Sequence, residues 1–215
     1  MGIQETEPMN VEDFNEWRAN YNKWSYAEHQ EFYSRVYAEY PGQKRFDADS
    51  VCKFLELATE REVPQRVIEM GGWNGELCSE IRIDPYQTIT AWINFEICKE
   101  AREDYHYSPN YICAQQDAFI WDNILTLPPA NVFISSHSIE HITTEDLILL
   151  VQKIDDHGIK WCYVQSPLHE TERPNWHDYL GTHILQASWR EVDAIFALAG
   201  FSMHSPTSQI RWYYR

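Results

Sequence analysis

The run Arg66-Val67-Ile68-Glu69-Met70-Gly71-Gly72-Trp73-Asn74-Gly75-Glu76-Leu77-Cys78-Ser79-Glu80-Ile81 sets the frame for the rest of the chain. Val67 to Met70 is a short apolar stretch of the kind that makes a buried strand, and Gly71, Gly72 and Gly75 follow it at once. Beyond them, Leu77, Cys78 and Ile81 return at helical spacing. A strand, a glycine turn and a helix together bring bare backbone amides at a helix N-terminus up to a ligand. Glycines between two elements also make plain tight turns. The surrounding chain has to separate the two readings.

The 215 residues suit one domain with an appendage and can bury a sizeable core. A formal net charge of −16 opposes binding to a nucleic-acid backbone, which needs clustered Lys and Arg, and to anionic membranes. The five cysteines are odd in number and scattered, with no C-x-x-C pair, so buried free thiols in a reducing cytosol are expected. The first residues are acidic with no hydrophobic leader, and no apolar run is long enough to span a bilayer. A soluble cytoplasmic protein follows from these features.

Phe14, Trp17, Tyr21 and Trp24 recur at three- and four-residue steps, and Tyr33, Val36, Tyr37 and Tyr40 repeat the pattern. They predict aromatic helices over residues 10–40, either as plain core or as a cover for a pocket. Another helix buries Val51, Phe54, Leu55 and Ala58. After the glycine turn, a helix from Gly75 toward Asp84-Pro85 leads to a β-rich run, Thr88 to Phe95. Further strands are predicted at Tyr111 to Gln115, Asn131 to Ser136 and Trp161 to Gln165, with an amphipathic helix from Thr144 to Asp156. His169 to Gln186 is a long irregular connection, the usual mark of a functional loop. Ser188-Trp-Arg-Glu191 is a capping box, and Phe201 to His204, a Ser205-Pro206-Thr207 turn and Gln209 to Tyr214 make a terminal hairpin. Strands alternating with helices imply a parallel sheet with right-handed crossovers.

The spacing Glu69-x-Gly71-x-x-x-Gly75, with Trp73 in the place of a middle glycine, resembles motif I of the class I S-adenosylmethionine-dependent methyltransferases. A dinucleotide fingerprint would instead be G-x-G-x-x-G. The closing hairpin resembles the end of that family too, whereas dinucleotide dehydrogenases continue with parallel units. The resemblance covers residues 63–215 and implies a Rossmann-like, mostly parallel seven-stranded sheet with a C-terminal antiparallel hairpin. Residues 1–62 would be an N-terminal helical cap.

This resemblance implies S-adenosylmethionine as cofactor, held by Glu69, Gly71, Gly72, Trp73, Asn74 and Gly75. Glu96, 27 residues beyond Glu69, matches the acid that binds the ribose hydroxyls, although another frame puts Asn94 or Trp92 there. Asp117, with Ala118 and Phe119, matches the adenine-binding segment; Asp117 also suits a helix cap. Ser136, His137, Glu140 and His141 follow the fourth strand, and His169, His177 and His183 come from the long loop. His137, His183 and His141 are the candidate bases, because a histidine is mostly neutral at cellular pH. His137-x-x-Glu140-His141 also spells the H-x-x-E-H zinc signature. With its first histidine straight off a strand, that signature loses its helix geometry, so no metal is expected. Methyl transfer to a small molecule, most simply onto a hydroxyl, is the expected activity. A binding protein that keeps the fold without catalysis and a nicotinamide-dependent oxidoreductase are the competing classes. Nothing in the sequence fixes the oligomeric state.

Overall fold

The computed structural model describes residues 9–39, 47–59, 65–81, 89–108, 112–117, 129–175 and 182–215. Five parallel strands carry the architecture: β1 (Gln65–Met70), β2 (Ile89–Glu96), β3 (Ile112–Asp117), β4 (Val132–Ser136) and β5 (Trp161–Gln165). β6 (Ser202–Thr207) and β7 (Ile210–Tyr214) add an antiparallel hairpin, giving one mixed sheet of order β3-β2-β1-β4-β5-β7-β6. The chain runs outward from β1 through β2 and β3, then restarts on the other side at β4. The order therefore reverses between β1 and β4, and open α/β sheets hold ligands beyond the carboxyl ends at such a point.

Burial on both faces explains why the parallel strands are near-continuous apolar runs. On one face Ile68, Phe95, Phe133 and Val164 pack against α6 (Thr144–Asp156) and α7 (Trp189–Leu198). On the other face Val67, Trp92, Val132 and Tyr163 meet α3 (Ala48–Thr59) and α4 (Glu76–Glu80). The Ser188–Glu191 capping box opens α7 as the sequence predicts, and Phe196 stacks on Tyr213 with ring centroids 3.8 Å apart.

Outside this sandwich, α1 (Val11–Asn20) and α2 (Tyr26–Glu39) form a third aromatic cluster, in which Trp17 stacks on Phe32 at 5.1 Å. Asn10 and Asp13 cap α1 reciprocally. The cluster includes Ile184, which follows β5, so the helical pair is tied to the carboxyl edge of the sheet. At its other end α2 reaches α5 (Lys99–Glu103) and the turn after it, where Ser34 donates to Glu100 at 2.5 Å and Tyr37 to Asp104 at 2.9 Å.

Three expectations need correction. The helix after the glycine turn stops at Glu80, since Ile81 already has ψ of 113°, and residues 82–88 lie outside the described set. The last hairpin turns later than Ser205-Pro206-Thr207: these residues belong to β6, an exposed edge strand with an irregular register where proline is tolerated. All five cysteines are free thiols, but Cys52 and Cys113 are only partly buried.

Candidate active site

The backbone of the glycine turn keeps a three-position alternation. Gly71 has φ of 61°, Trp73 of 52° and Gly75 of 80°, all left-handed. Trp73 thus adopts a glycine conformation, a strain that persists only where the surroundings enforce it. Those surroundings are visible. The Trp73 amide donates to Glu96 Oε2 at 2.9 Å, the Gly72 amide to Asn94 Oδ1 at 2.8 Å, and the Gly71 amide to the Phe95 carbonyl at 2.7 Å. The end of β2 therefore holds the turn, residue by residue.

Glycine is required here by protein neighbours. A Cβ at Gly72 would lie 2.4 Å from Asn94 Oδ1 and 2.5 Å from Glu69 Oε2, and one at Gly71 would lie 2.6 Å from Ser138 Oγ. At Gly75 it would meet the Tyr105 ring at 2.6 Å. Close packing of the turn on the chain itself is therefore one reason for these glycines. Glu69 is fully buried beneath the turn and accepts from Trp92 Nε1 at 2.7 Å. The Glu96 carboxylate is also buried, its second oxygen accepting from the Cys98 amide at 2.9 Å. Trp73 Nε1 and Asn74 Oδ1 are buried with no hydrogen-bond partner among the described residues. Asp117 ends β3 opposite Glu96 in register. Ala118, Phe119 and His177 lie outside the described residues.

A second turn sits beside the first. β4 pairs with β1, and Ser138 Oγ bridges from the Ser136 carbonyl at 3.1 Å to that of Gly71 at 3.3 Å. Ser136 itself is buried and donates to Gln165 Oε1 at 3.1 Å. His137 then takes φ of 51°, and its amide donates to the Gln165 carbonyl at 2.8 Å. The left-handed residue redirects the chain into a short 3₁₀ turn, Ile139–His141.

That turn gathers the candidate histidines around one carboxylate. Glu140 is fully buried, with Oε1 3.3 Å from His137 Nδ1 and 4.0 Å from His183 Nε2. Its Oε2 accepts from Ser166 Oγ at 2.9 Å, and its carbonyl accepts from the Ile184 and Leu185 amides. His141 Nδ1 lies 2.8 Å from the Thr182 carbonyl, and the His141 and His183 rings are 5.0 Å apart. Burial alone would raise the Glu140 carboxyl, but His137, His141 and His183 reverse this and hold it at about 2. Burial first, then His141, pushes His183 down to about 3 against the raising effect of Glu140. The shift favours the neutral imidazole at His183. His137, with a side chain 22% exposed, and His141 are both partly exposed. Glu140, His141 and His183 each offer a ligand atom within 4.8 Å of the others, a grouping that could hold a metal ion.

Sequence reasoning misses two contributors. Tyr33, from α2, has its phenol pushed well above its ordinary value by burial, with Glu96, Thr182 and Glu140 among its neighbours. Arg18, from α1, donates to the His183 carbonyl at 3.0 Å. Tyr33 was legible only as one ring in an aromatic stripe, and Arg18 carried no signal.

Comparison with solved structures gives the chain the class I S-adenosylmethionine-dependent methyltransferase fold. A small RNA methyltransferase matches 81% of this chain at 12% identity and TM-score 0.61, although the chain spans only 27% of that protein. An S-adenosylmethionine-dependent methyltransferase from Archaeoglobus fulgidus matches 77% of the chain and 74% of its own length, at 19% identity and TM-score 0.54. Human N-acetylserotonin methyltransferase, solved with S-adenosylmethionine, matches 98% of the chain and 61% of its own length, at 14% identity and TM-score 0.55. No protein-family profile and no curated protein matches the sequence.

Proposed function

We propose that this chain binds S-adenosylmethionine and transfers its methyl group to a hydroxyl of a small molecule. The carrying observation is the adjacency of two left-handed turns at the sheet's switch point, tied together by Ser138. One of them presents backbone and buried polar atoms, and the other presents a carboxylate surrounded by histidines.

The first turn fits the cofactor. Trp73 Nε1 is an unused donor and Asn74 Oδ1 an unused acceptor, which suit a polar ligand end. Glu96, held in place by two amides at the end of β2, is the carboxylate that would meet the ribose hydroxyls. Glu69 acts one step back, as the buried support of the turn. The resemblance assigns Asp117, Ala118 and Phe119 to the adenine. Bound S-adenosylmethionine supplies an electrophilic sulfonium methyl, whose C–S bond breaks as the acceptor's O–C bond forms.

His137 takes the hydroxyl proton, and Glu140, 3.3 Å away, stabilises the imidazolium that results. The pair α1 and α2 closes over this edge, with Tyr33 and Arg18 as its contacts, while α3, from the same segment of residues 1–62, packs on the sheet of the transfer domain, residues 63–215. A charge of −16 supports a small acceptor over a phosphate polymer. Among the described residues no helix is long and apolar enough to cross a membrane.

A catalytically silent binding protein is the second reading, favoured by Trp73 at a glycine position. Incubation with methyl-labelled S-adenosylmethionine and a panel of phenols and alcohols separates the two. A labelled small-molecule product supports transfer. Cofactor binding with no product from any acceptor supports the silent reading.

A further inference from the structure

We propose that Glu140, His141 and His183 form a binding site for a divalent first-row transition ion such as zinc, at the carboxyl ends of β4 and β5. Their ligand atoms lie within 4.8 Å of one another. Two donors on one tetrahedral ion, each about 2.0–2.2 Å from it, lie about 3.3–3.6 Å apart. The widest pair therefore has to close by about 1.2–1.5 Å, which rotation of the imidazoles would supply. The separation of 4.0 Å between His183 Nε2 and Glu140 Oε1 is too long for a hydrogen bond and about 0.4–0.7 Å wider than two ligands of a shared tetrahedral ion.

The second observation is independent of that spacing. Glu140 Oε1 is fully buried and aimed at the imidazoles of His137 and His183, and its 3.3 Å contact with His137 Nδ1 is not an aligned hydrogen bond. A buried carboxylate oxygen held by so poor a contact is costly, and a cation between it and the rings would satisfy it. The outer supports are already in place. Ser166 holds the other carboxylate oxygen at 2.9 Å. The Thr182 carbonyl, 2.8 Å from His141 Nδ1, is the kind of acceptor that fixes a metal-bound imidazole and leaves the other nitrogen to coordinate. His141 Nε2 now lies 3.1 Å from the His137 carbonyl and would turn from it toward the ion.

Imidazole-rich sites with one carboxylate favour zinc, iron, cobalt or nickel over magnesium and calcium, which prefer oxygen ligands. Three protein ligands leave a position open, and the partly exposed His137 stands next to it. The sequence signature set aside for lacking a helix is thus completed by His183, from a loop that follows the next strand. An ion here would take the acceptor's oxygen and ease loss of its proton to His137. That role rests on the methyl-transfer reading; the site itself does not.

The test uses the full chain, stripped with a chelator and titrated with cobalt(II) while its visible ligand-field absorption is followed. Zinc(II) then serves as competitor and magnesium(II) as control. The expected result is one cobalt per chain, displaced by zinc and not by magnesium. Affinity should fall at least tenfold in both His183→Ala and Glu140→Gln and stay unchanged in His204→Ala, an exposed histidine on β6. Circular dichroism confirms folding; if Glu140→Gln fails to fold, His183→Ala decides. The proposal is overturned if the folded wild type binds neither cobalt nor zinc, or only as tightly as magnesium, or if folded His183→Ala keeps wild-type affinity and spectrum. Calorimetry with S-adenosylhomocysteine on the same samples reads the cofactor site separately, so failure of one reading is distinct from failure of the other.

Discussion

Replacing Glu96 by glutamine tests how the turn is held. In the structure both carboxylate oxygens accept backbone amides at 2.9 Å, from Trp73 and Cys98, and the side chain is only 3% exposed. Glutamine keeps one oxygen but turns an NH₂ toward the other amide, so one buried N–H loses its acceptor. A hydrogen bond to a charged group contributes about 1.5–3 kcal/mol, and a buried donor left unpaired costs a similar amount. The expected loss is therefore about 1.5–3 kcal/mol, or roughly 3–12 °C in melting temperature for a chain of this size. Urea unfolding monitored by tryptophan fluorescence measures it. Trp73 should relax from its left-handed φ once its amide is released, and cofactor affinity should fall about tenfold to a hundredfold as the turn loses its shape. A variant within about 0.5 kcal/mol of wild type would refute the claim that this carboxylate enforces the turn.

Gly72→Ala forces a Cβ against Asn94 and Glu69, and overpacking of this kind should lower stability by about 1–3 kcal/mol in the same urea assay. His29 is buried, accepts from Trp17 Nε1 at 3.2 Å, and has its pKa lowered from 6.5, chiefly by burial. The unfolded chain then binds the proton more readily, so this contribution is complete above pH 6.5 and is lost as pH falls from there toward the depressed folded value. Melting curves across that window should slope less in His29→Gln than in wild type. His137→Ala should lower turnover by roughly 10²–10⁴-fold with S-adenosylhomocysteine affinity unchanged, read by single-turnover kinetics beside calorimetry.

The sheet was legible because parallel strands buried on both faces leave apolar runs, and Trp161–Gln165 and Thr144–Asp156 fall where the pattern puts them. The glycine turn was legible in frame, yet the conformation of Trp73 was not, since nothing local announces a tryptophan at positive φ. It is imposed by Glu96, 23 residues away. The histidine cluster was half visible. His137, Glu140 and His141 share a motif, but the contact of His141 with Thr182 spans 41 residues through an irregular loop. Burial then lowers the pKa of His183, and burial at a loop is not written in residue type. The anchoring of the helical pair through Arg18 and Tyr33 depends on tertiary placement alone.

The central claim is that the turn from Gly71 to Gly75 receives S-adenosylmethionine. Isothermal titration of the folded full chain with S-adenosylhomocysteine tests it most directly. The account expects one molecule bound per chain, with affinity weakened about tenfold or more in Glu96→Gln. Absence of binding by both S-adenosylhomocysteine and S-adenosylmethionine to folded wild-type protein would contradict it.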